Sequence, residues 1–152
     1  MKKLLTLILC AGLFAAPVMA DNHAMQETDH AITYAFEGEF DDATFAVETA
    51  IVGKGLVIDY VSRTGAMLER TKGDVGSDVK IYDAADIFLF CSAQISREVM
   101  EPDPMNIAFC PYGIFVTDTD GEVRVGYRKY PDGDMQKVQA LLDEIVQDAV
   151  SD

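Results

Sequence analysis

The segment IFLFCSAQISREVMEPDPMNIAFCPYG, residues 87–113, places Cys91 and Cys110 at the ends of two apolar runs. What these two thiols do constrains the fold more than any other feature of the chain. They are a structural staple, a working redox pair, or two small core residues. As a staple they close a loop of about 20 residues, which contributes roughly 3.3 kcal/mol in the chain-entropy model, less any strain.

The choice turns on the compartment. Residues 1–20, MKKLLTLILCAGLFAAPVMA, carry two lysines, an apolar run from Leu4 to Ala16, and Val18-Met19-Ala20 as a small-residue processing site. That is the layout of a bacterial-type signal peptide with cleavage after Ala20, so a periplasmic or secreted protein is expected. The run is too short for a membrane span and no long apolar stretch follows it, so no membrane association is expected after processing. Bulky Leu9 before Cys10 argues against a lipid-modified cysteine. Cys10 leaves with the leader, and an oxidising compartment then holds Cys91 and Cys110 alone, most simply as a disulfide.

Removing the two leader lysines leaves 10 basic residues against 26 acidic ones, a net charge of −16 on 132 residues. Such acidity argues against nucleic acid, whose phosphates would repel it, and favours a well-solvated surface. The length suits one domain with a real core.

Residues 21–31 read as a polar, flexible lead-in without periodicity, and residues 32–150 as a single domain. Ile32, Tyr34 and Phe36 alternate as in a half-buried strand. Asp41 or Asp42 caps a helix carrying Ala43, Ala46, Val47, Ala50 and Ile51, which Gly53-Lys54-Gly55 ends. The strand LVIDYVS follows. Residues 65–79 hold either a short helix around Met67 to Arg70 or a mobile loop, since Gly73 and Gly76 limit any helix. The run from Lys80 to Phe90 ends in a continuous apolar strand into Cys91; Ser92 caps a helix over Ala93–Met100, and EPDP breaks it. Ile107 to Thr117 reads as the next strand, and Asp120-Gly121 as a hairpin turn into Glu122–Tyr130. In that last strand Val123, Val125 and Tyr127 face one way, Arg124, Gly126 and Arg128 the other. Asp134 caps a last helix striped by Met135, Val138, Leu142, Ile145 and Ala149. The expectation is an α+β fold, a mainly antiparallel sheet with helices on one face.

The opening strand, the Phe40-Asp41-Asp42 helix start, the Gly55 helix end, and two apolar strands running into Cys91 and Cys110 around a short helix carry a resemblance over roughly residues 32–150. From EGEFDDATFAVETAIVGKGLVIDYV onward the chain resembles the domain of unknown function 302 family. The resemblance implies a TATA-box-binding-protein-like α+β fold and a tendency to form a homodimer, and it implies no activity. The sequence has Cys91-Ser92-Ala93 where members often read Cys-Asn-Pro, and Phe109-Cys110-Pro111 where they read Pro-Cys.

Three constellations carry chemistry. Cys91 sits where a strand gives way to a helix, a setting that stabilises a thiolate, with Cys110 on a neighbouring strand as its resolver. No Cys-x-x-Cys and no nearby histidine support that pairing, and Phe88, Phe90 and Phe109 suggest burial. Cleavage after Ala20 exposes Asp21-Asn22-His23, whose amine, two amides and imidazole suit square-planar Cu(II) or Ni(II), with Met25 or His30 as secondary contacts. Arg124 and Arg128, with Tyr112 near them, suit a small anionic ligand. Asp118-Thr119-Asp120-Gly121 fails as a calcium loop, because Val116 and Tyr127 then stand where oxygen ligands belong. No Gly-x-Ser-x-Gly, His-Glu-x-x-His or phosphate loop is present, and both histidines lie in the lead-in, so conventional hydrolase chemistry is not expected.

The sequence therefore favours an exported binding or carrier domain, without enzymatic activity, for a small molecule or an exported protein partner. A thiol–disulfide or persulfide-handling protein using Cys91 and Cys110 is the alternative, and a copper-binding protein using the processed terminus is the third reading.

Overall fold

Alternation of apolar residues builds the sheet, and its order follows from which strands the turns can join. The structure, a computed structural model, describes residues 24–151. Six strands, β1 (Gln26–Glu27), β2 (Ala31–Ala35), β3 (Val57–Ser62), β4 (Ala84–Cys91), β5 (Tyr112–Thr119) and β6 (Glu122–Arg128), lie in the order β1-β2-β6-β5-β4-β3, every neighbouring pair antiparallel. Helices α1 (Phe40–Gly53), α2 (Thr64–Thr71), α3 (Ala93–Met100) and α4 (Gln136–Ser151) complete the α+β architecture. No helix among the described residues is long and apolar enough to cross a membrane.

The period of two on the central strands sets the core. Phe88, Phe90, Ile114, Val116, Val125 and Tyr127 point to one face and are buried beneath α1 and α4. Helical spacing supplies the other half: Ala43, Val47 and Ile51 from α1, and Val138, Leu142, Ile145 and Ala149 from α4. On the opposite sheet face Ile87, Leu89 and Phe115 are only half-buried, and Val57 and Tyr60 are exposed.

The β5–β6 hairpin forms at the Asp-Gly pair as expected. Asp120 (φ 54°) and Gly121 (φ 80°) both adopt left-handed backbone, the requirement of a two-residue turn whose twist matches its strands. Ser92 caps α3, its Oγ accepting from Ile95 N at 3.3 Å.

Several boundaries differ from the sequence reading. Part of the lead-in joins the sheet: Gln26 pairs with Thr33 as strand β1, Arg124 Nη2 donates to the Ala24 carbonyl (3.0 Å), and Lys129 pairs with Glu27 (2.5 Å). Polar residues make such an edge strand because its stability comes from backbone pairing and long-range charge, neither of which leaves a hydrophobic period. Helix α1 starts two residues earlier than an Asp41 cap would place it, with Glu39 at the cap position and the Asp42 carboxylate accepting from Glu39 N (3.4 Å). Residues 64–71 form a full helix, because Gly65 lets α2 lie against the sheet where an added Cβ would stand 2.5 Å from Ala85 N. The stretch read as strand from Ile107 is instead a 3₁₀ helix over Pro104–Phe109, with the Asp103 carboxylate accepting from Met105 N (2.9 Å), and β5 starts at Tyr112. Asp134 does not cap α4 through its side chain; its carbonyl accepts from Lys137 N (3.1 Å) in the turn before Gln136.

Candidate functional site

Phe90 and Tyr112 are the last register pair of the β4–β5 ladder, and just beyond them, one residue past Phe90 and two before Tyr112, the two cysteines meet. Cys91 and Cys110 lie at disulfide distance, with Cα atoms 6.7 Å apart, across the excursion made by α3 and the 3₁₀ helix. Both cysteines are half-buried. Cys91 directly precedes the Ser92 cap, so its sulfur belongs to the N-terminal side of α3. The Arg128 guanidinium brackets Cys110, donating to the carbonyls of Phe109 (3.3 Å) and Pro111 (3.4 Å), and lies 5.5 Å from the Tyr130 ring centre.

The residues that sequence suggested for an anion site are not brought together. Tyr112 is fully buried on the helix-covered face, its hydroxyl 2.9 Å from Ser96 Oγ. Arg124 lies on the other face with its guanidinium committed to Thr33 Oγ1 (3.0 Å), Glu122 (3.0 Å) and the Ala24 carbonyl (3.0 Å), so it fastens the edge strands. Arg128 alone remains exposed. Asp21, Asn22 and His23 lie outside the described residues, as do the leader and its processing site. Among the described residues no three His, Cys, Asp or Glu side chains gather as metal ligands.

A different site emerges at the opposite edge of the sheet. Tyr34 on β2 and Tyr127 on β6 stand on the core face beneath α4, and a buried tyrosine needs an acceptor for its hydroxyl. Asp143 of α4 supplies one to both: its Oδ1 accepts from Tyr127 at 2.6 Å and from Tyr34 at 2.7 Å, while Oδ2 accepts from Gln147 Nε2 at 2.6 Å. The three residues open onto a hollow of about 300 Å³, walled also by Met25, Ile32, Gln136, Gln139 and Ala140. Sequence reasoning passed over this site, because Asp143 falls between the apolar positions of the α4 stripe and both tyrosines read as ordinary core alternation. The usable signal was that two buried tyrosines on core-facing positions need a polar partner on the helix that covers them.

Burial raises the pKa of both hydroxyls, and their bonds to the Asp143 carboxylate raise them further. Burial also raises Tyr130, whose hydroxyl is buried without a partner among the described residues. Their folded pKa values exceed that of an unfolded tyrosine, about 10, so the stability these groups contribute is complete below that pH and is lost as pH climbs above it. Urea midpoints are therefore expected to fall steeply above about pH 10. Tyr127→Phe loses about 1 kcal/mol at neutral pH through its missing hydrogen bond, yet shows a shallower alkaline decline. An identical decline in both proteins would show that Tyr127 does not titrate in this way.

Comparison with known proteins gives the fold a lineage. The family model described as "Domain of unknown function DUF302" matches residues 32–150. The crystal structure of an uncharacterized conserved protein DUF302 from Bacillus stearothermophilus is similar, with a TM-score of 0.59 and 15% sequence identity, covering 82% of this chain and 95% of that one. At that identity the likeness speaks for fold alone. No curated protein matches.

Proposed function

The chain belongs to the DUF302 family, and because that membership carries a fold but no activity, we propose from the site itself that this protein is an exported small-molecule binding or carrier module. The observation that carries the reading is the cleft between α4 and the β2–β6 edge. Its size is at the lower end of small-ligand pockets, and it combines apolar walls with a few convergent polar groups, as such pockets do. The cleft is set on a helix and two strands, whose rigidity keeps the polar groups placed. In this reading the Cys91–Cys110 disulfide is a staple, because it ties off the α3 excursion at the base of a ladder that already holds both ends.

The rival reading, thiol–disulfide or persulfide chemistry, is favoured by one feature: Cys91 adjoins the N-terminus of α3, where a thiolate is stabilised. The binding reading is tested by a ¹H–¹⁵N titration of the processed protein with a fragment set spanning neutral, cationic and anionic compounds. Amide shifts that saturate near about 1 mM and cluster at Ile32, Tyr34 and Gln139 are expected. Shifts clustering at Cys91 and Cys110, or no saturating shift at all, overturn it.

A further inference from the structure

We propose that the cleft takes a small molecule bearing an ammonium group; this rests on the binding reading above and specifies its ligand class. The warrant is an unbalanced charge. Asp143 is half-buried, and all three of its donors, Tyr34, Tyr127 and Gln147, are neutral. Among the described residues no lysine or arginine pairs with it. Lys129, just past the end of β6 and two residues after Tyr127, is committed to Glu27 at 2.5 Å, and Lys54 on the far side of α4 is committed to Glu144 (2.6 Å) and Asp148 (2.9 Å). A carboxylate partly withdrawn from water without a countercharge carries a desolvation cost, and a ligand cation offsets it.

The rest of the cleft suits the same group. Both phenols give their protons to Oδ1, so each phenol oxygen still has lone pairs to accept from an ammonium N–H, and Oδ2 accepts only one bond. Ile32 and Met25 provide the apolar surface that an alkyl or aryl chain would cover. An anionic ligand meets Asp143 and a chain of formal charge −14, both repulsive.

The test titrates the processed protein with n-butylammonium chloride, n-butanol and sodium butyrate, followed by amide shifts. Butylammonium is expected to shift Ile32, Tyr34 and Gln139 saturably, at least tenfold more tightly than butanol, with butyrate inert. Asp143→Asn is expected to weaken butylammonium at least tenfold, whereas Asp148→Asn, an exposed acid on the same helix, leaves it unchanged. Because Asp143→Asn disturbs the tyrosine bonds, Ala140→Trp provides a second variant that fills the cleft without touching them, and it too is expected to abolish binding. Equal affinity for butanol and butylammonium at the cleft overturns the ammonium assignment and leaves the binding reading standing. Butylammonium shifts spread over surface acids, equally weakened by Asp148→Asn, also overturn it. No saturating shift with any probe overturns both.

Discussion

Replacing both cysteines, Cys91→Ser together with Cys110→Ser, is expected to lower the unfolding free energy by about 3 kcal/mol while the fold and the affinity of the α4 cleft for its probe stay unchanged. The two residues are 19 apart in sequence, so the bond removes the freedom of a loop of that length from the unfolded chain. In the folded protein the β4–β5 ladder already brings the ends together through the Phe90–Tyr112 pair, so the native state has little need of the bond for its geometry. Urea unfolding of the double variant and of the reduced parent protein should therefore give the same loss, through the same mechanism. The double substitution is the cleaner experiment, since a single one leaves a free thiol half-buried beside its vacant partner. A loss under about 0.5 kcal/mol, with rapid exchange against small thiols at a potential near those of disulfide oxidants, would move the protein to the thiol-chemistry reading.

The sheet and its helices were legible where one physical period dominates. Val123, Val125 and Tyr127 alternate cleanly because one face of β6 is buried, and Val138, Leu142, Ile145 and Ala149 recur at helical spacing because one stripe of α4 is. Ser92 and Asp120-Gly121 carry local chemistry, a cap and a left-handed turn, which the residue types announce by themselves. What escaped is what depends on partners distant in sequence. The strand β1 exists through Arg124 and Lys129, about a hundred residues away, and α2 exists at full length through a glycine that fits one particular strand. Ile107 and Phe109 read as strand by hydropathy, yet Pro104 and Asp103 start a 3₁₀ helix there and leave Ile107 57% exposed.

The candidate site divides the same way. The cysteine pair could be seen because an even pair in a chain expected to be exported has few alternatives. The tyrosine–aspartate cleft could not, because its three residues come from positions 34, 127 and 143 and each is unremarkable alone. Tyr112, Arg124 and Arg128 stand close in sequence, and that closeness suggested a shared surface. Strand alternation instead sends Tyr112 to the core and the two arginines to the opposite face.

Gly126→Val is expected to destabilise the protein by about 3 kcal/mol, and Gly126→Ala by somewhat less, although residue type alone predicts the reverse. In an ordinary strand either substitution helps: alanine reduces the freedom of the unfolded chain by about 0.4–1 kcal/mol, and valine also favours a pleated surface. At this position a Cβ would stand 2.5 Å from the Ile32 carbonyl oxygen, 2.6 Å from Thr33 Cγ2 and 2.9 Å from Phe115 Cζ. Thr33 and Phe115 are side chains and can turn aside. The carbonyl belongs to the β2–β6 ladder, which pairs Thr33 with Gly126, and cannot retreat without opening that edge of the sheet. The Phe115 ring occupies the space the glycine leaves, as aromatic side chains do over strand glycines. Adding Phe115→Ala to Gly126→Ala should therefore recover only the ring's share of the clash, a partial rescue that a double-mutant cycle in urea measures directly. Full rescue would place the obstruction in the ring alone, and a stabilised Gly126→Ala would show that β2 and β6 do not approach each other as closely as the structure has them.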